Sequence, residues 1–303
     1  ITDALICSMV DIAKKEGRKD IEQILWNTWH CNKKLITHEG RVYGKYCKNR
    51  HCTICQSNRK AEMINKYYPV LKHWTGAQFL TLTIKACPKQ FLGYRFRKFI
   101  QGLERITDKY EKKAKRGKGK RLMYVRSLEC NFNPYKRTYN PHFHLIVPDI
   151  ESAEILVKEW LALWTFPEPD KKPLATRAAQ YYRPIKDMTT DLVEVIKYGT
   201  KVFTDPEGKK KPKGIVKMYP RAFYNIIVAM KGLRLFSSVG FILPKKDEEE
   251  RQPARVVTDY EEWVHAAELQ NWTNTERWEQ LFDQNPDAGL EELLTWCIDT
   301  ELE

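Results

Sequence analysis

"LMYVRSLECNFNPYKRTYNPHFHLIVP", residues 122–148, decides the fold. LMYVRSLECNF is rich in apolar residues and reads as a strand. NPYKRTYNP carries two Asn-Pro pairs and reads as a turn, and HFHLIVP reads as a second strand. Together they predict an antiparallel hairpin. Residues i and i+2 of a strand share a face, so His142 and His144 project together. Glu129 lies across the hairpin from them and shares a face with Ser127, away from Leu128. If the two faces coincide, two imidazoles and one carboxylate converge. Such nitrogen and oxygen ligation with open positions suits Mn²⁺ or Mg²⁺ better than a closed zinc site. Taken alone, the histidines fit a structural pair equally well, and Glu129 fits an ion pair with a lysine or arginine.

Working outward, AQFLTLTIK (77–85) alternates and predicts a strand. Phe91, Phe96, Phe99, Ile100, Leu103, Ile106 and Tyr110 recur at helical spacing over 89–118. This helix runs out into the basic loop KKAKRGKGKR. SAEILVKEWLALW predicts a helix with a Ser-x-x-Glu-like start, and QYYRPIK a short strand. TTDLVEVIKYGTKVF (189–203) predicts a helix capped by Thr189 or Thr190. The order strand, helix, strand, strand, helix, strand, helix implies an α+β fold, a mainly antiparallel sheet flanked by helices. YPRAFYNIIVAMKGLRLFSSVG adds a helix and an aromatic segment ending in glycine. PKKDEEERQPAR reads as a linker. The expected organisation is an N-terminal zinc-binding helical region (1–72), the α+β domain (73–243), and a linker with an acidic helical module (244–303).

The net charge is +13 over 303 residues, but it is unevenly distributed. Residues 246–303 hold four Lys and Arg against 17 Asp and Glu, a local net of −13, which leaves +26 on residues 1–245. A body this basic calls for a polyanion, most simply nucleic acid, rather than a basic protein with no such partner. No run of 18 apolar residues is present, so no transmembrane helix is expected. The first residues do not resemble a signal peptide, and the chain begins without Met, so a segment upstream of Ile1 is expected. These features predict a soluble intracellular protein with no membrane partner.

Of eight cysteines, four are clustered. Cys47, Cys52 and Cys55 form C-x4-C-x2-C, with Cys31 sixteen residues before Cys47. Four thiolates close a tetrahedral Zn²⁺ site, and the C-x2-C corner is its frequent signature. His30, His38 or His51 is an alternative for one ligand, and four buried free cysteines are the alternative to a metal. Four protein ligands leave no open position, so this zinc is expected to be structural. Lys48, Arg50, Arg59 and Lys60 around it are candidate phosphate contacts or a solvated face.

In the helix over 189–203, Glu194 and Tyr198 stand one turn apart, as do Lys197 and Lys201. A tyrosine beside a metal-held phosphate is a candidate nucleophile. A lysine can lower its pKa or stabilise developing charge, and a carboxylate can activate water. By itself this is also an ordinary amphipathic helix.

FLTLTIK, SLECNFNPYKRTYNPHFHLIV and VEVIKYGTK, in that order, resemble the three motifs of the HUH endonucleases. The nearest likeness is to replication initiator (Rep) proteins of small bacterial rolling-circle plasmids, in the branch with one tyrosine and a glutamate one turn before it. YCKNRHCTICQSNRK and MKGLRLFSSVG share that likeness, which covers about residues 30–242. The resemblance implies that His142 and His144 bind a divalent metal, with Glu129 as third ligand. It implies that Tyr198 attacks single-stranded or hairpin origin DNA, leaving a 5′-phosphotyrosine and a 3′-OH primer. Glu194 would activate water at termination. Tyr181 and Tyr182 fall on a predicted strand and are not counted as a second nucleophile. The implied partners are origin DNA with flanking duplex, in a bacterial cytoplasm. The acidic module is expected to mediate self-association or to contact a host helicase or polymerase. The competing readings are an HUH-type transposase and a zinc-containing DNA-binding regulator without catalysis.

Overall fold

The predicted hairpin is the centre of the observed fold. In a computed structural model, residues 3–31, 34–38, 41–44, 46–165, 172–196, 219–243 and 262–265 are described. In chain order the elements are α1 (Asp3–Lys15), α2 (Lys19–Trp29), β1 (Lys34–His38), β2 (Arg41–Gly44), α3 (Thr53–Leu71), β3 (Gln78–Thr83) and α4 (Lys89–Lys115). They continue with β4 (Tyr124–Asn133), β5 (Thr138–Val147), α5 (Ile150–Leu163), β6 (Tyr181–Pro184), α6 (Met188–Ile196), α7 (Pro220–Met230), β7 (Phe236–Val239) and β8 (Glu262–His265). The fold is α+β, with helices flanking a five-stranded antiparallel sheet.

The chain divides into two compact units. The first comprises residues 1–58, 211–224 and 245–303, and the second residues 59–210 and 225–244. In the first, α1 and α2 accompany a small antiparallel sheet of order β2-β1-β8. Of the segment expected as an acidic helical module, only β8 and its pairing with β1 fall within the described residues. In the second unit the strand order is β6-β3-β5-β4-β7.

Strand alternation gives this larger sheet two apolar faces. On one, Phe143 lies 4.4 Å from Phe99 of α4, and Phe99 lies 4.8 Å from Trp160 of α5. The Trp160 indole is fully buried and donates to the Thr83 carbonyl at 3.0 Å, which ties α5 to the sheet. On the other face, Phe79, Val125 and Ile146 form one core with Tyr67 and Leu71 of α3 and Leu192, Val195 and Ile196 of α6. Burying each of these aliphatic side chains contributes roughly 1.5–3 kcal/mol.

Three local expectations are corrected. Asp149, not a Ser-x-x-Glu start, caps α5 by accepting from the Ser152 N–H at 2.8 Å. Asp187, not Thr189 or Thr190, caps α6 and accepts from the N–H groups of Thr189 and Thr190 at 3.2 and 3.0 Å. Aspartate wins both positions because its side-chain oxygens reach two or three residues onward to N–H groups the helix cannot satisfy. The turn is also shorter than expected, because β5 begins at Thr138 and includes Asn140 and Pro141. The N–H of Tyr139 faces Cys87, and alternation points the Pro141 nitrogen to that side too. The β3–β5 ladder ends at Thr83 opposite His142, so the sheet demands no donor from Pro141.

Candidate functional site

Strand register assembles the first candidate site. Glu129 of β4 stands directly opposite His142 of β5, and Ser127 opposite His144. On the other side of β5, Thr83 faces His142 and Thr81 faces His144. All six residues therefore share one sheet face. Glu129 Oε2 lies 3.6 Å from His142 Nε2 and 3.7 Å from His144 Nε2. These distances are too long for hydrogen bonds and suit donor atoms around a common ion. The three ligand atoms lie within 4.8 Å of one another.

The far nitrogens of both rings are also engaged. His142 Nδ1 lies 3.0 Å from the Asn140 carbonyl, which only accepts, so this nitrogen carries the proton. In the neutral ring Nε2 is then a bare lone pair aimed toward Glu129. His144 Nδ1 lies 3.1 Å from Thr81 Oγ1, a hydroxyl that can donate or accept, so this contact orients the ring while the Asn140 carbonyl alone sets a tautomer, that of His142. Outer partners of this kind fix the tautomer or ring orientation of a metal-ligating histidine. Thr81 and the Asn140 carbonyl are the positioning groups that sequence reading misses. Their only trace in the sequence is Thr81's alternation within FLTLTIK. The Ser127 hydroxyl, opposite His144, is fully buried and has no hydrogen-bond partner among the described residues. The set is compatible with a divalent metal.

α6 sits on this same face, since Leu192, Val195 and Ile196 pack with Phe79, Val125 and Ile146. Its seating is reinforced by Arg183 of β6, whose guanidinium grips buried Asp191 through both nitrogens, one bond measuring 3.1 Å. The same guanidinium lies 5.0 Å over the Phe79 ring, and Phe79 lies 5.3 Å from His144. Glu194 is on α6, half-buried and within electrostatic range of Arg183. Lys197, Tyr198 and Lys201 lie outside the described residues.

The second candidate site is in the other unit. The sulfurs of Cys31, Cys47, Cys52 and Cys55 lie within 4.8 Å of one another. Cys31 and Cys47 are 3.5 and 3.6 Å from Cys55, sulfur to sulfur. A zinc–sulfur bond of about 2.3 Å in tetrahedral geometry sets that edge near 3.8 Å. The cluster therefore fits a zinc knuckle. The N–H groups of Cys47 and Asn49 each donate to a cysteine sulfur at 3.4 Å, the latter around Lys48, whose φ is +56°. Such donors favour thiolate. Burial pushes the Cys31 thiol up to about 12, and the Cys52 thiol and burial push Cys47 up further. The Cys31 and Cys47 thiols are thus held against ionisation, a cost that a cation offsets by replacing their protons.

His30 packs edge-on to Trp29 at 4.7 Å and His51 edge-on to Phe223 at 5.4 Å, and the clustered ligands are the four cysteines. Of the side chain of His38 nothing is described. Lys48 and Arg50 are exposed beside the knuckle, and Arg59 and Lys60 are half-buried in α3. Cys55→Ser is expected to weaken metal binding by more than about 100-fold and lower the unfolding temperature. Metal analysis after dialysis checks this; a retained full equivalent would rule Cys55 out as a required ligand.

A family model described as "Replication protein" matches residues 41–285. The chain belongs to this replication protein family. A "Protein rep" of Staphylococcus aureus is 28% identical over 129 residues, 39% of this chain and 54% of the relative. A "Protein rep" of Streptococcus pneumoniae serotype 2 is 27% identical over 157 residues, 47% of this chain and 46% of the relative. One from Bacillus sp is 26% identical over 128 residues, 39% of this chain and 40% of the relative. The chain spans about half the length of the curated relatives it matches. No solved structure matches it significantly. Among the described residues, no helix is long and apolar enough to cross a membrane.

Proposed function

We propose that this replication protein initiates rolling-circle replication of a plasmid by nicking one strand of its origin in a metal-dependent, site-specific reaction. The observation that carries the reading is the convergence of Glu129, His142 and His144 on the sheet face where α6 is seated. α6 ends at Ile196, two residues before Tyr198.

Glu129, His142 and His144 would hold Mn²⁺ or Mg²⁺, whose chemistry is to neutralise the scissile phosphate and polarise its P–O bonds. Tyr198 is the nucleophile in this reading. Its phenol oxygen attacks phosphorus, the P–O3′ bond breaks, and a 5′-phosphotyrosine forms. The departing 3′ oxygen takes a proton and becomes the hydroxyl that primes synthesis. Lys197 and Lys201, one residue before and three residues after Tyr198 in the sequence, would favour its ionised form and the charge that builds on phosphate. At termination Glu194 takes a proton from water, whose oxygen attacks the phosphorus at the regenerated origin in place of a second tyrosine; the P–O3′ bond breaks, and the freed 3′ oxygen attacks the phosphotyrosine, closing the circle and releasing the Tyr198 phenol. The four-cysteine site would hold Zn²⁺ structurally, placing Lys48 and Arg50, with Arg59 and Lys60 of the following helix, as candidate phosphate contacts.

Incubating the full chain with Mn²⁺ and a supercoiled plasmid carrying its origin tests the reading. The expected products are nicked circles bearing protein at the 5′ end, with nucleotide on Tyr198 by mass spectrometry. Binding without any nicking would leave a zinc-containing DNA-binding regulator. Glu194→Ala is expected to nick at near-normal rate but to release finished circles at least about 100-fold more slowly, the lower end of the range for losing a general base. Normal release, followed as the decay of covalent adduct, would remove Glu194 from the water step.

A further inference from the structure

α4 carries an exposed basic stripe that neither candidate site uses. Its buried residues, among them Phe96, Phe99 and Leu103, pack on the sheet face opposite the one bearing Glu129, His142 and His144. Steps of three and four residues keep to one flank of a helix. From Lys98 such steps run through Gln101, Arg105, Lys109 and Lys112 to Arg116, and no acidic residue falls on the path. Glu104 and Glu111 project from the other flank. Lys109 is held by Glu159 at 2.7 Å. Arg105, Lys112 and Arg116 are exposed and form no ion pair among the described residues. They line an open depression together with Lys109, Lys113 and a single carboxylate, Asp108. Counting the following loop, residues 89–121 hold 13 Lys and Arg against three Asp and Glu.

From Lys98 to Arg116 the row is about 27 Å long, at 1.5 Å per residue. That is most of one DNA turn of about 34 Å. At its start Phe91 and Tyr94 are 52% and 55% exposed, and the Lys98 ammonium lies 5.6 Å over the Tyr94 ring. We propose that this stripe of α4 binds the phosphate backbone of duplex DNA flanking the nicked strand. The inference rests on the replication-initiator reading for its choice of nucleic acid. A straight row of cations on a rigid helix matches a stiff polyanion with one charge per about 1.7 Å of axis. The protein's own acidic 246–303 segment spreads a net −13 over 58 residues and is a poorer match in charge density. The strand to be cut belongs on the other sheet face, so duplex holding and cleavage would be separable.

The test uses the full chain carrying Arg105→Gln, Lys112→Gln and Arg116→Gln together. Affinity for a 30-bp duplex of arbitrary sequence is measured against salt, since backbone contacts are independent of sequence. The slope of log K against log salt is expected to fall by nearly three, about 0.9 per lost contact. Affinity at about 0.1 M salt is expected to fall at least ten-fold, while Mn²⁺-dependent cleavage of a short single-stranded origin oligonucleotide stays within two-fold. The charge-conserving set Arg105→Lys, Lys112→Arg and Arg116→Lys is expected to keep the slope. An unchanged slope in the glutamine set overturns the proposal and favours an acidic protein segment, such as residues 246–303, as the occupant. Equal losses in both sets also overturn it, because they would report damage rather than charge. If the unaltered protein cleaves no single strand, the initiator reading fails, and the duplex measurement still judges the stripe by itself.

Discussion

Alanine at both His142 and His144 is expected to abolish Mn²⁺-dependent nicking, by about 10³-fold or more. The two rings supply two of the three donor atoms that lie within 4.8 Å of one another. Glu129 alone, with its carboxylate at 8% exposure for the residue, would be left as a buried acid without a chelating partner set. Metal stabilisation of transition-state charge is worth several kcal/mol, and each 1.4 kcal/mol is about tenfold in rate. Calorimetric Mn²⁺ titration should show the binding lost together with the cleavage. Since His142 is buried between two neighbouring strands, a folding defect must be separated from a metal defect. Thr81→Val serves that purpose, because it leaves both rings in place and exchanges only the hydroxyl beside His144 Nδ1 for a methyl group. It is expected to weaken metal binding about 10–100-fold, the usual cost of losing an outer partner, with near-native circular dichroism. Cleavage that persists in the double variant would place the metal elsewhere.

Tyr198→Phe is expected to lose nicking by at least about 10³-fold, since removing a nucleophile leaves only positional and electrostatic catalysis. Origin binding should be retained, because the change deletes one hydroxyl and keeps the ring. Gel analysis of supercoiled origin plasmid measures the first quantity, and a binding titration the second. The informative rival is Tyr181. It lies opposite Thr81 on β6, is 58% exposed, and shares the sheet face of the histidines. Two strand spacings, about 10 Å, separate its backbone from that of His144. Continued nicking by Tyr198→Phe, with nucleotide found on Tyr181, would move the nucleophile from the segment after α6 to the edge of the sheet.

The α+β class, the antiparallel sheet flanked by helices and the cysteine cluster were legible because each leaves a short-range mark. Alternation identified β3, β4 and β5, a 3.6-residue period identified α4, and C-x4-C-x2-C identified the knuckle. α1, β1 and β2 left weaker marks. α1 alternates apolar and charged residues over a stretch that resembled no particular element. β1 and β2 are short, and Lys34, Glu39 and Arg41 interrupt the apolar pattern of the sequence there. Short strands are stabilised by the partner they pair with, and for β1 one partner is β8, more than 200 residues away in the chain. The caps were misplaced for a related reason. Serine, threonine and aspartate are all acceptable at an N-cap, and only backbone geometry shows which oxygen reaches the unsatisfied N–H groups.

The sequence by itself determined which side chains share a strand face. The two-residue period of β5 joins His142 to His144, and that of β4 joins Ser127 to Glu129, whatever the rest of the chain does. Only the tertiary structure decided that these faces coincide. A slip of one residue between β4 and β5 would send Glu129 to the side of Leu128's neighbours α4 and α5, away from both imidazoles. The pairing of Glu129 with His142 is held by burial on two faces at once, Phe143 against Phe99 and Ile146 against α6. Tertiary structure also brought Cys31 to Cys55 across 24 residues, Thr81 to His144 across 63, and α6 onto the face of the histidines. Local periodicity fixes direction along one element. Which elements meet, and in which register, is set by the apolar surface they can bury only together.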